Sequence, residues 1–323
     1  MALSRSPLAF AVSASLALAA VAVPARAAPP IVDTDAVFLR IGGYARALSG
    51  LSVSQVEEGE TYGVPKYTGL GAAILRTELR LGLFDIATLD VHSRLFMQVS
   101  SESSAGGGAV GLGATAAPER TLDLSTPIVA TDTMMLEHDL DRLSLRLFLG
   151  PVDVSIGRQA ITWGTSLLFN VSDIWAGFSP FELDTTEKRG IDAARVMLSP
   201  SFTTAIDFVI ADRGDVEDLS GGVRVTTYLD RGDFYALAAK TYDEVVAGVG
   251  YTHDFEKLGV RGEVLLPVDY DDAEVDVPRA TAGLDWMKGD WVLSVEYHHN
   301  GAGAEPDEDL PELLDRFGID LFL

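Results

Sequence analysis

Charged side chains in this sequence recur two residues apart inside otherwise apolar stretches, as in Arg76, Glu78 and Arg80 or Asp90, His92 and Arg94. Arginines and carboxylates at such spacing can order water, pair with one another or attract a charged solute, and none of that chemistry makes or breaks a covalent bond. Arg146 continues the set. Arg158 joins it if a bulge near Gly157 turns it to the same side. Together Arg76, Glu78, Arg80, Asp90, Arg94, Arg146 and Arg158 would form a constriction that selects solutes by charge, as rings of side chains do in pores. The competing reading is that the same groups form Arg–carboxylate pairs that only hold the fold together.

Covalent and metal chemistry find little support. The histidines are His92, His138, His253, His298 and His299, and neither HExxH nor GxSxG occurs. No catalytic residue, metal site or cofactor is expected. The acidic runs Glu57-Glu58-Gly59-Glu60, Asp269 to Asp276 and Glu305 to Asp315 carry hard oxygen ligands without the spacing of an EF-hand. They read as hydrated surface near lipopolysaccharide. With 48 acidic against 24 basic residues and a net charge of −24, a nucleic-acid partner is excluded, because phosphate binding needs a basic face. Zero cysteines exclude disulfides, thiolate ligands and lipoprotein processing.

The elements that must position these charges are strands. Leu75, Thr77, Leu79, Leu81 and Leu83 alternate with Arg76, Glu78, Arg80 and Gly82, and Leu143, Leu145 and Leu147 alternate with Ser144 and Arg146. A helix would scatter the charges among the leucines, whereas a strand sorts them onto two faces. The pattern predicts strands at 37–49, 70–83, 86–100, 139–149, 151–163, 189–199, 201–211, 221–230, 232–241, 245–255, 258–268, 278–287, 290–299 and 316–323. Their connections alternate long and short, with tight turns at Phe84-Asp85, Gly150-Pro151, around Pro200, and at Asp230-Arg231, Glu256-Lys257 and Lys288-Gly289.

A soluble sandwich has no reason to sort loop length by parity. A transmembrane antiparallel up-and-down β-barrel does, with short turns toward the periplasm and long loops outside. The expected fold class is therefore all-β, a barrel of about 14 strands, with 12–16 compatible. Residues 1–27 read as a signal peptide, with Arg5, an uncharged run from Leu8 to Val23 and Ala25-Arg26-Ala27, which leaves 28–323 as the barrel. One feature departs from the pattern: such barrels commonly end on an aromatic residue, and here Leu323 follows Phe322 after a short last strand.

The stretch Gly157-Arg158-Gln159, then Trp163-Gly164, then Phe169-Asn170 and Asp173, resembles a pattern in porin-like outer-membrane barrels of Gram-negative bacteria, the alginate-export type among them. The resemblance covers mainly residues 152–198, including Arg189-Gly190 and Asp192. It implies an outer-membrane channel and names no solute. The segment from Thr165 to Lys188 is too apolar for a freely solvated loop. It is expected either to fold into the barrel mouth as a constriction, through Trp163, Phe169, Asn170, Asp173 and Trp175, or to cap the outside.

The expectation is a porin or export channel in the cell outer membrane, passing small polar solutes of anionic or saccharide-like character. Its partners would be outer-membrane lipid, lipopolysaccharide and the barrel-assembly machinery. The alternatives are a non-conducting structural or adhesion barrel and a lipid hydrolase with an interfacial Ser–His pair. Trp286, Trp291, Tyr297 and Tyr251 are expected in aromatic girdles at the bilayer interfaces.

Overall fold

The computed structural model describes residues 13–23, 29–54, 67–101, 120–176, 187–214, 219–241, 244–269, 275 and 277–301. Among them every regular element is a strand. The strands are β1 (Ser13–Val23), β2 (Val32–Asp33), β3 (Val37–Ser54), β4 (Tyr67–Leu83), β5 (Ala87–Ser100), β6 (Ser125–Ala130), β7 (Met134–Leu149) and β8 (Val152–Gln159). They continue as β9 (Ile191–Ser201), β10 (Thr204–Ala211), β11 (Ser220–Leu229), β12 (Gly232–Lys240), β13 (Glu244–Phe255), β14 (Leu258–Asp269), β15 (Arg279–Lys288) and β16 (Trp291–His299). No helix of the described residues is long and apolar enough to cross a membrane.

The strands form one up-and-down sheet in the order β1-β3-β4-β5-β7-β8-β9-β10-β11-β12-β13-β14-β15-β16, with β2 and β6 added beside β3 and β7. Every predicted strand from 37 to 299 is present. The short turns carry left-handed residues that match the twist of a tight hairpin: Phe84 (φ 52), Asp85 (φ 56), Gly150 (φ 72), Asp230 (φ 55), Glu256 (φ 45) and Gly289 (φ 59).

Four features differ from the sequence reading. The turn expected around Pro200 lies at Phe202–Thr203, because β9 runs through Pro200 to Ser201. The strand expected over 151–163 stops at Gln159. Beyond that point β6, which lies in the expected loop from Ser101 to Glu137, takes over the flank of β7, pairing Ser125 with Asp139 and Ala130 with Met135. Ser13–Val23, inside the expected leader, pairs antiparallel with Ala45–Ser54 of β3. The last expected strand, 316–323, lies outside the described residues, and among those described no pairing joins β16 back to the start of the sheet.

The chain divides into two compact units. The first holds Met1–Ile161, Trp175–Leu198 and Val209–Asp218, and the second holds Thr162–Ile174, Ser199–Phe208 and Leu219–Leu323. In both, strand alternation separates two faces in the reverse of the soluble order. In the first unit Arg76, Asp90, Arg94, Asp139, Asp141, Ser144 and Ser155 are buried, while Leu75, Leu143, Leu145 and Ile156 are exposed. In the second unit Asp207, Glu263 and Thr281 are buried, while Val249, Leu284, Leu293 and Val295 are exposed.

The covered face of β7 is kept charged by a bulge. His92 pairs with Arg142 and Ser93 with Leu140, so Asp141 is the extra residue. It lets Asp139, Asp141 and Arg142 all lie on the covered side. Arg158 is also turned inward, but no bulge of the ladder does it. Ile156, Gly157 and Arg158 pair in unbroken register with both β7 and β9. The change comes from φ +112 at Gly157, where a Cβ would lie 2.2 Å from Leu143 O.

Candidate functional site

In the second unit the chain leaves the sheet after β8 and lies across the polar face of the strands that follow. Two carboxylates hold it. The Glu263 carboxylate, from β14, accepts hydrogen bonds from the backbone N–H and hydroxyl of Thr165 (the hydroxyl at 2.7 Å), from Ser166 N–H at 2.8 Å and from Ser172 N–H at 3.3 Å. The Glu296 carboxylate, from β16, accepts the N–H groups of Leu167, Leu168 and Phe169 at 2.7, 3.0 and 2.9 Å. A segment off the sheet has no ladder partners, so these carboxylates supply the acceptors its backbone needs.

Side chains fix the rest of the segment. Trp163 is fully buried, donates Nε1–H to Asp207 at 2.9 Å and gives its carbonyl to Arg224. The Arg224 guanidinium lies over the rings of Trp163 and Tyr235 at 5.8 and 5.7 Å. Tyr235 donates its hydroxyl to Ser172 at 2.8 Å. Thr281 donates to the carbonyl of Phe169 at 2.8 Å, and the Phe169 ring stacks on His298 with centroids 4.8 Å apart. Gly164 fits because it has no side chain: a Cβ there would meet Asn170 Oδ1 at 1.4 Å.

Of the residues expected in the constriction loop, Trp163, Phe169, Asn170 and Asp173 therefore belong to one docked segment. Trp175, which falls in the first unit, is buried. The segment lies on the polar face of the second unit's sheet. Residues 177–186, with Phe178 and Phe181, lie outside the described residues.

The first unit carries an ion network. Arg76 donates to Asp141 at 2.8 Å, to Glu78 at 3.2 Å and to His92 Nδ1 at 3.0 Å. Arg142 pairs with the same Asp141 at 2.7 Å. Arg120 reaches Asp139 at 2.8 Å and Asp141 at 3.4 Å. Arg158 holds Asp192 by two nitrogens, at 2.8 and 3.0 Å, and also bonds the carbonyls of Leu140 and Leu122. Arg80, half exposed, pairs with Asp90 at 2.6 Å. A cation and an anion buried together, as Arg76 with Asp141 and Arg158 with Asp192 are, satisfy each other and leave little field for a solute.

The proposed constriction set thus divides. Arg76, Glu78, Arg80, Asp90 and Arg158 are brought into pairs. Arg94 is buried on the same face and stacks over Phe96, whereas Arg146 is exposed and makes no ion pair among the described residues. Strand alternation alone puts Asp207, Glu263 and Glu296 on the polar face without marking what they bind, and no sequence motif singles out Arg120, Asp139, Asp141, Arg142, Ser172 or Tyr235. Two further placements bear on the alternatives. Ser93 Oγ lies 2.7 Å from His138 Nε2. Among the described residues no acid or amide side chain is hydrogen-bonded to that histidine. No group of three His, Cys, Asp or Glu side chains is arranged to hold a metal ion among the described residues.

No family model matches the chain, and no curated protein matches it. A solved structure described as "Asymmetric conductivity of engineered proteins" is similar over 80% of this chain and 94% of its own, with 12% identity and a TM-score of 0.37. At that score the similarity carries no argument. What stands on the chain itself is an all-β, antiparallel, up-and-down sheet that covers its charges and exposes its apolar side chains.

Proposed function

We propose that the chain is an outer-membrane β-barrel channel for small polar solutes, related to the porin-like barrels it resembles, with the Trp163–Asp173 segment as its constriction. The carrying observation is the reversed partition of side chains. Large apolar residues stand exposed along one face of interior strands, as Val245 (40%), Val249 (46%) and Tyr251 (41%) do on β13. Charged residues lie covered on the other face. Water would penalise such an arrangement, and a bilayer outside with a polar interior reverses that penalty.

The aromatic side chains fit the same reading. Tyr251, Phe255, Trp286 and Trp291 are exposed close to the tight turns Glu256-Lys257 and Gly289-Asp290. Such a position suits rings anchored at one interface. Under this reading 1–27 is removed on export, and the edge of β3 pairs with the expected last strand. The long acidic loops face lipopolysaccharide.

The experiment is planar-bilayer conductance of the purified protein refolded without residues 1–27. Stepwise single-channel currents are expected. A second reading has its own support, since the pairing of Arg76, Arg80 and Arg158 with carboxylates suits a filled interior that conducts nothing. Inserted, correctly folded protein without current would favour that structural barrel over the channel.

A further inference from the structure

Five arginines were available to draw an anion: Arg76, Arg80, Arg94, Arg146 and Arg158. Arg76, at 2.8 and 3.2 Å from Asp141 and Glu78, and Arg158, at 2.8 Å from Asp192, are neutralised by their own neighbours, and Arg80 pairs with Asp90 at 2.6 Å while its side chain stays half exposed. Arg146 stands exposed. Arg94 is different from both groups. It is 8% exposed, and among the described residues no carboxylate or hydrogen-bond acceptor reaches its guanidinium. Its one recorded contact is Phe96, whose ring centroid lies 4.7 Å from the guanidinium carbon.

The neighbouring charges explain why it stays uncommitted. In the sheet Arg94 is flanked by Arg76 on β4 and by Asp139 on β7. Arg76 is a like charge already turned to Asp141. Asp139 is already surrounded by three guanidinium groups, with Arg120 at 2.8 Å and Arg158 at 3.8 Å from its Oδ1 and Arg189 at 3.7 Å from its Oδ2. A guanidinium stays protonated throughout the physiological range, and burying it without a counter-charge is expensive. Stacking on Phe96 fixes its plane by one face and leaves its N–H edge without an acceptor among the described residues. That edge is a planar fork matched to two oxygens of one anion.

We infer that Arg94 is the anion-contacting residue of the proposed channel and that the solutes it admits are small oxyanions of the carboxylate, sulfate or phosphate type. This rests on the channel reading. Arg76 and Arg158 then serve the fold and do not meet the solute.

The test measures reversal potentials of the full mature chain in planar bilayers under a potassium acetate gradient. Arg94→Gln is expected to lower the acetate-to-potassium permeability ratio about fivefold, and Arg94→Lys, which keeps the charge, to stay within about twofold of the unmodified chain. A second measurement needs no variant: added sulfate should reduce the acetate current saturably. A conducting Arg94→Gln channel with an unchanged ratio, an Arg94→Lys channel that behaves like Arg94→Gln, or a current indifferent to sulfate would each overturn the assignment. Absence of any current from the unmodified chain would instead remove the channel reading, and the assignment with it.

Discussion

Glu296 accepts the backbone N–H of Leu168 at 3.0 Å although the two residues stand 128 positions apart. A carboxylate on the last described strand thereby fixes the backbone of a segment that left the sheet after β8. The same carboxyl group also binds the N–H groups of Leu167 and Phe169, so the segment is held at consecutive peptide units and cannot slide.

Glu296→Gln tests that hold. The amide keeps one acceptor oxygen but turns an NH₂ group toward peptide donors, so at least one charge-assisted bond is lost. Unfolding in detergent should show a loss of about 2 kcal/mol, and single-channel conductance should rise as the segment lifts from the sheet. Stability and conductance both equal to those of the unmodified protein would show that the carboxylate is not the latch.

Arg158 and Arg146 should respond differently to the same substitution. Arg158→Ala leaves Asp192 without its two-nitrogen partner and is expected to cost about 3–5 kcal/mol. Arg146→Ala removes an exposed side chain and should change stability by less than about 0.5 kcal/mol. Chemical denaturation of both variants checks the contrast, and equal effects would contradict the burial assigned to Arg158.

Two glycines of the sheet make a matched pair. At Gly157 the backbone has φ +112 and a Cβ would lie 2.2 Å from Leu143 O, whereas at Gly42 a Cβ would meet nothing within 4 Å. Gly157→Ala should destabilise by about 2–4 kcal/mol, and Gly42→Ala should be close to neutral. The readout is the unfolding midpoint of each variant.

The membrane reading is exposed to a direct test on β16. Leu293 is 60% exposed, so in a water-soluble protein Leu293→Arg would be tolerated. Facing lipid, the same change should cost about 2–4 kcal/mol near the bilayer midplane, measured as folding into lipid vesicles from urea. Unimpaired folding of Leu293→Arg into vesicles would argue that this face does not meet lipid.

The strands were legible because alternation is local: Leu143, Ser144, Leu145 and Arg146 declare their two faces without reference to any other part of the chain. The tight turns were legible for the same reason. What alternation could not show is which charge meets which. Arg76 finds Asp141 across 65 positions, and Thr165 finds Glu263 across 98. Those pairings depend on register between strands and on where a segment lies once it leaves the sheet. Parity put Glu263 and Glu296 on the polar side, but nothing near them in sequence distinguishes a carboxylate that binds a backbone from one that meets a solute. The odd parity of Arg158 points to a bulge near Gly157, and the bulge sits instead on the partner strand at Asp141.

That single additional residue makes β7 a strand written in two reading frames. Before the bulge the odd-numbered Asp139 and Asp141 are covered, and after it the even-numbered Arg142 and Ser144 are. Deleting Asp141 would merge the frames. Leu140 and Arg142 would then be consecutive opposite Ser93 and His92, so Asp139 and Leu140 would keep their sides and the ladder would become regular. What would be lost is the acid that Arg76, Arg120 and Arg142 share. At this position the bulge admits one additional anion to the covered face, and removing the residue costs the same anion as replacing its side chain.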